Sequence, residues 1–232
     1  MSGMLASVTS LTEARIALAA GVDIIDLKAP EKGALGALPI EVVREIVAGI
    51  DGACPVSATI GDQPLLPEPV LASVLQMAAT GVDFVKIGFF TGGDMQATLD
   101  TLAPAASGGL RLIAVLFGDR QPEITWLDAI AAAGFRGVML DTQDKQQGSL
   151  LNCRSFDFLK DFVSAARARG LLCGLAGSLR KTDISALLPL APDYLGFRGA
   201  LCVGSRRTDR IDENSVLEIR NLITARSIAH AL

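Results

Sequence analysis

Apolar positions along this chain come in short blocks, each followed by a longer stretch of helical period, and the alternation runs from one end to the other. Residues 5–8 predict a strand. A helix follows, with Thr9 and Ser10 as its cap, Leu11, Ala14 and Leu18 on one face, and Gly21 as its stop. Residues 22–28 predict the second strand, and a Gly- and Pro-containing loop over 29–39 leads to a helix over Ile40–Ile50. A third strand over 55–59 and a helix over 67–80, ended by Gly81, come next. The phrase Gly-Val-Asp-Phe-Val-Lys-Ile-Gly at 81–88 then repeats Gly-Val-Asp-Ile-Ile-Asp-Leu-Lys at 21–28: a helix stop, then a strand carrying charge near its end. Further strands are predicted over 110–116, 137–140, 171–176 and Tyr194–Phe197, with helices over 123–133, 156–169, 182–190 and Glu213–Ala229. Eight strand–helix units with no linker-like break predict a single domain over 1–232, an α/β fold built as one (β/α)8 TIM-like barrel. A doubly wound open sheet is the competitor, and it usually carries fewer units.

Composition narrows the function. Half of the 232 residues are apolar and the net charge is −4, which argues against the basic face of a nucleic-acid binder. Nine Phe, one Tyr and one Trp offer little for stacking unpaired bases. The lone histidine, His230, is the third residue from the end of the sequence, so Ser-His-Asp and Cys-His machinery and His-rich metal sites are excluded. Acid–base chemistry must fall to carboxylates, lysines or Tyr194. Cys54, Cys153, Cys173 and Cys202 form no C-x-x-C pair and read as free thiols of a reducing compartment. No stretch approaches the ~18 apolar residues of a membrane span, and the expected location is cytoplasmic, away from membranes.

In barrels of this kind reactive groups gather at the C-terminal ends of the strands. That filter leaves Asp26 and Lys28 on the second strand, Lys86 on the fourth, Asp141 after the sixth, and Lys145 in the loop beyond. Period-two alternation puts Asp26 and Lys28 on one face and Ile25 and Leu27 on the other, so the charged pair is predicted to point inward. Lys86 is likewise opposed to Val85 and Ile87. A single strand-end lysine reads most simply as a solvated charge. Two in matching repeats, set in apolar strands, point to function, because a buried charge is costly unless paired or used. The expected chemistry is amine catalysis, with two lysines facing each other across the barrel mouth. Desolvation and the second ammonium lower the pKa of one, which then attacks a carbonyl while the other moves protons.

Anion recognition is expected at the loops after the seventh and eighth strands, where barrels frequently hold phosphate. Gly177 and Gly199 allow close backbone approach, Ser178 offers a hydroxyl, and Arg198 a fork of donors. The run Arg206-Arg207-Thr208-Asp209-Arg210 adds positive charge there.

Six segments together resemble one known family: Ile25-Asp-Leu-Lys-Ala-Pro-Glu-Lys-Gly-Ala-Leu-Gly36, Val56-Ser-Ala-Thr-Ile-Gly-Asp62, Phe84-Val-Lys-Ile-Gly88, Val138-Met-Leu-Asp-Thr142, Leu175-Ala-Gly-Ser178 and Phe197-Arg-Gly-Ala200. The family is (5-formylfuran-3-yl)methyl phosphate synthase, and the likeness runs from the first strand to the last helix. It implies a TIM-like barrel that condenses two molecules of glyceraldehyde 3-phosphate, with loss of phosphate and water, on the way to methanofuran-type one-carbon carriers. It implies Lys28 as the Schiff-base lysine, Lys86 as the proton-transferring residue, and Asp26, Asp141 and Lys145 as supporting groups. No metal or organic cofactor is implied, and the expected partners are a small triose phosphate and further copies of the chain, not nucleic acid. Another Schiff-base aldolase on sugar phosphates, or a phosphosugar sensor on a retired barrel, would share part of the pattern.

Overall fold

A computed structural model describes residues 2–229, so His230 lies outside the described residues. Eight parallel strands close into a barrel in sequence order. They are β1 (Gly3–Val8), β2 (Ile24–Leu27), β3 (Val56–Thr59), β4 (Phe84–Gly88), β5 (Leu112–Phe117), β6 (Gly137–Asp141), β7 (Leu172–Leu175) and β8 (Tyr194–Phe197). The helices among the described residues are α1 (Leu11–Ala19), α2 (Ile40–Ile50), α3 (Pro67–Ala78), α4 (Met95–Ser107), α5 (Trp126–Ala132), α6 (Leu150–Cys153), α7 (Phe156–Ala168), α8 (Ile184–Leu187) and α9 (Glu213–Ala229). None is long and apolar enough to cross a membrane.

Local chemistry accounts for most of these bounds. Ser10 caps α1 by accepting from the Glu13 amide, and Asp94 caps α4 by accepting from the Ala97 amide. Gly21 and Gly81, at φ +72° and +90°, take the left-handed turn that ends α1 and α3 and redirects the chain into the two repeated strands. The hydrophobic pattern sets no bounds for α4, because Pro104 lies inside it and its buried face is only Thr98, Leu99 and Leu102. The helix expected over 182–190 is broken instead into α8 flanked by single 3-10 turns, the second of which contains Pro189.

Alternation along the strands divides the apolar residues between two layers. Ile25, Leu27, Val85 and Ile87 face outward into the helix-packed core, while Leu5, Ile113, Val115, Phe117, Met139, Ala176 and Tyr194 fill the barrel. Tyr194 fits because residue 174 is glycine: a Cβ there would lie 2.2 Å from the tyrosine ring. The loop between β2 and α2 folds back over the mouth, burying Ala34 and Leu35 against the barrel interior. Asp62 fixes it by accepting from the Ala34 and Leu35 amides at 2.8 and 2.7 Å.

Candidate active site

Strand register builds the deepest part of the site. Asp26 on β2 stands level with Ser7 on β1 and Ser57 on β3, all three inward-facing. Its carboxylate accepts from Ser7 Oγ at 2.9 Å, Ser57 Oγ at 2.7 Å and Lys86 Nζ at 2.9 Å. Asp26 and Lys86 are wholly buried, and a buried ion pair survives only where further hydrogen bonds satisfy it; the two serines supply them. Burial would push the Asp26 carboxyl up, but Lys86 and Lys28 outweigh it and hold the group below the usual range.

One layer higher the barrel opens into a cavity of about 720 Å³ at the C-terminal ends of the strands. Lys28, Asp141 and Lys145 line it together. Lys145 Nζ donates to Asp141 Oδ1 at 2.6 Å and to the Thr142 carbonyl, and the Thr142 amide donates to the same carboxylate oxygen at 2.7 Å. Burial alone would raise the Asp141 carboxyl; Lys145 and Lys28 instead keep it well below the ordinary range. Lys28, 7% exposed, has no ion-pair or hydrogen-bond partner for its Nζ among the described residues. Burial lowers its ammonium pKa to about 8; Asp141 and Asp26 pull upward, and Lys145 and Lys86 push down again.

Two expectations change here. Lys86 does not face Lys28 across the mouth. It sits beneath the cavity, against a void of about 10 Å³ shared with Ser57 and Tyr194, tied to Asp26. Arg198 lines the cavity, but its fork is turned to the protein. Its Nε donates to the Arg207 carbonyl at 2.8 Å, Nη1 to Ser7 O at 3.1 Å and Glu13 Oε2 at 2.6 Å, and Nη2 to Glu13 Oε1 at 3.4 Å and Asp209 O at 2.7 Å. All five of its donors are thereby engaged inside the protein.

Gly177, Ser178 and Gly199 do reach the cavity wall. Among the described residues the amides of Gly177 and Ser178 donate to no protein acceptor. Gly177, at φ +97°, brings the chain so near β6 that a Cβ would lie 2.8 Å from Thr142 Cγ2. Arg207 also lines the cavity, half-buried, with burial pushing its pKa down while Asp141 and Asp62 draw it back.

Residues 4–220 match the family model of 4-HFC-P synthase. A relative from Methylorubrum extorquens is 46% identical over 209 residues, covering 90% of this chain and 86% of its own. This chain belongs to the 4-HFC-P synthase family. Relatives named (5-formylfuran-3-yl)methyl phosphate synthase include one from Methanocaldococcus jannaschii, 33% identical and covering 94% of this chain and 98% of its own. Another, from Methanosarcina mazei, is 35% identical over 88% and 92%. Among solved structures, phosphoribosyl anthranilate isomerase from Thermus thermophilus superposes with a TM-score of 0.70 at 15% identity, over 97% of this chain and 100% of its own. A 3-hexulose-6-phosphate synthase reaches 0.65 at 18%, over 95% and 99%. These two likenesses show the barrel fold.

In this 4-HFC-P synthase family member, then, the five charged residues read from the strand ends occupy two stacked layers, Asp26 and Lys86 below and Lys28, Asp141 and Lys145 above. Ser7, Ser57 and Arg207 were missed as site residues. Ser7 and Ser57 could have been found from their inward register beside Asp26. Arg207 stood within a recognised basic run, and only the tertiary contacts separate it from its neighbours.

Proposed function

We propose that this chain condenses two molecules of glyceraldehyde 3-phosphate into (5-formylfuran-3-yl)methyl phosphate through an imine on Lys28, within methanofuran-type cofactor biosynthesis. One observation carries the reading: of the three lysines at the core of the site, Lys28 alone lacks a carboxylate partner among the described residues, and it opens on the cavity. A buried amine held near neutrality is a nucleophile in waiting. Family membership supplies the product name.

The neutral Nζ of Lys28 adds to the carbonyl carbon of a triose phosphate, and the carbinolamine oxygen leaves as water with a proton from Lys145. The iminium draws electron density from the adjacent carbon, whose proton passes to the Asp141 carboxylate. Asp141 hands that proton back to Lys145 across their hydrogen bond, the enamine carbon bonds to the aldehyde carbon of the second triose, and Lys145 protonates the new alkoxide. Elimination next breaks a carbon–oxygen bond to expel phosphate, and ring closure with dehydration returns Lys28 as the free amine. Two triose phosphates thus balance one product, one phosphate and two waters. Lys86 acts from below, exchanging protons with the mouth through the Asp26 carboxylate, while Gly177, Ser178 and Gly199 receive phosphate on the β7–β8 side of the cavity.

The test is incubation with glyceraldehyde 3-phosphate alone, following near-ultraviolet absorbance and the mass of the furaldehyde. Borohydride added during turnover is expected to leave one reduced adduct on the peptide containing Lys28. Aldol products without a furan would favour a simpler Schiff-base aldolase, and an unmodified polypeptide would overturn the imine.

A further inference from the structure

We infer that Arg207 is the phosphate-gripping residue of this site, a planar cation that selects phosphorylated from unphosphorylated aldehydes. The inference deepens the proposed function and rests on it only for the identity of the substrate. Arg207 lines the cavity half-buried, and Nη2 donates to the Gly33 carbonyl at 2.7 Å, the only hydrogen bond of its side chain among the described residues. It makes no ion pair there. A guanidinium with one edge docked on backbone and the rest unused presents the geometry that binds a phosphate oxygen pair.

The loop that carries it is held in advance. The Arg207 carbonyl accepts from Arg198 Nε at 2.8 Å, the Asp209 carbonyl accepts from Arg198 Nη2 at 2.7 Å, and the Ile211 amide donates to Glu13 Oε1 at 3.0 Å. Arg198 and Glu13 are therefore positioning residues: they fix the backbone so that little ordering is left for ligand binding to overcome. Gly199 adjoins Arg207, since a Cβ built on it would lie 3.9 Å from Arg207 Cβ. The side chain then crosses from the β8 loop to the β2 loop, the loop that begins just past Lys28. A phosphate held there, with the amides of Gly177 and Ser178 open to the same cavity, would keep its carbonyl end for the amine. Arg206 provides the contrast. It points into solvent and pairs with Asp209 Oδ2 at 2.7 Å.

Inorganic phosphate is the probe, titrated by calorimetry into the wild-type chain, Arg207→Gln and Arg206→Gln. Loss of a charge-assisted contact predicts phosphate binding weaker by roughly tenfold or more in Arg207→Gln, with Arg206→Gln within about twofold of wild type. Arg207→Lys, which keeps the charge but not the fork, is expected to fall between and serves the same purpose if the glutamine variant melts early. Equal phosphate affinity in the Arg207 variants and wild type, or no phosphate binding by the wild type, would overturn the inference. Borohydride labelling with unphosphorylated glyceraldehyde separates this from the reaction itself. Arg207→Gln should bring the ratio of labelling by triose phosphate to labelling by glyceraldehyde down toward one, and a ratio equal to that of wild type would overturn the inference. If Lys28 never labels while phosphate affinity still depends on Arg207, the imine fails and the phosphate site stands.

Discussion

Lys28 sits where a lysine is least comfortable, enclosed and without a countercharge of its own, and two measurable consequences follow. Asp26 and Asp141 each keep a dedicated ammonium, Lys86 and Lys145, so Lys28 is the surplus positive charge of a five-residue cluster. Its pKa falls from 10.5 to about 8, which corresponds to on the order of 3 kcal/mol of destabilisation wherever both folded and unfolded chains are protonated. The sign is set by linkage: between about 8 and 10.5 the unfolded chain holds a proton that the folded chain has lost, so stability rises with pH across that window and the full penalty applies below it. Lys28→Met should therefore abolish turnover and raise the thermal midpoint at about pH 7. A variant that melts below wild type would remove the strain assigned to this amine. Attack requires the neutral amine, so kcat/KM of the wild type should climb through about 8 and level off above it. A flat profile across that range would leave the nucleophile elsewhere.

Between β6 and β7 the site depends on a backbone approach that only glycine permits. Gly177 combines φ +97° with a would-be Cβ 2.9 Å from the Thr142 amide nitrogen, next to the residue that carries the Lys145 partner. Gly177→Ala should cost about 1–3 kcal/mol from the backbone strain alone and shift Thr142, disturbing the Asp141–Lys145 pair beside it. Unfolding midpoints together with phosphate affinity would read both effects; a variant matching wild type in each would show that the loop tolerates a side chain. Such elements also mark how far the sequence could be read. Alternation along β2 and β4 told which face Asp26, Lys28 and Lys86 take, because period two is a local property. It could not tell height within the barrel, which depends on strand tilt and stagger, and so Lys86 came out one layer too high. Arg198 and Arg207 look alike along the chain. Which one spends its donors on the protein is decided by Glu13 on α1, distant in sequence and adjacent only once the barrel closes.

That closure ties the ends of the molecule together through one carboxylate. Glu13 accepts from the Thr9 amide at 2.8 Å, from both terminal nitrogens of Arg198, and from the Ile211 amide at 3.0 Å, so the start of α1 and the loop after β8 share an anchor. β1 pairs with β8 directly beneath it, which makes this the seam where the first strand meets the last. Burial alone would raise the Glu13 carboxyl, but hydrogen bonding and attraction from Arg198 prevail and hold it below its ordinary 4.5. Asp26 and Asp141 are depressed from 3.8 in the same direction. For all three the unfolded chain takes up protons first as pH falls, so their stabilisation is complete well above about 4.5 and is lost as pH drops through the folded values. Glu13→Gln leaves the Arg198 cation buried without its countercharge and should cost about 3 kcal/mol at neutral pH. Having no carboxyl to protonate at the seam, the variant should also lose stability less steeply than wild type between about pH 5 and pH 3. Urea unfolding at neutral pH and across that interval measures both quantities. Parallel acid slopes in the two proteins would mean that the seam is held by the strand pairing alone, and that the loop carrying Arg207 keeps its shape without Glu13.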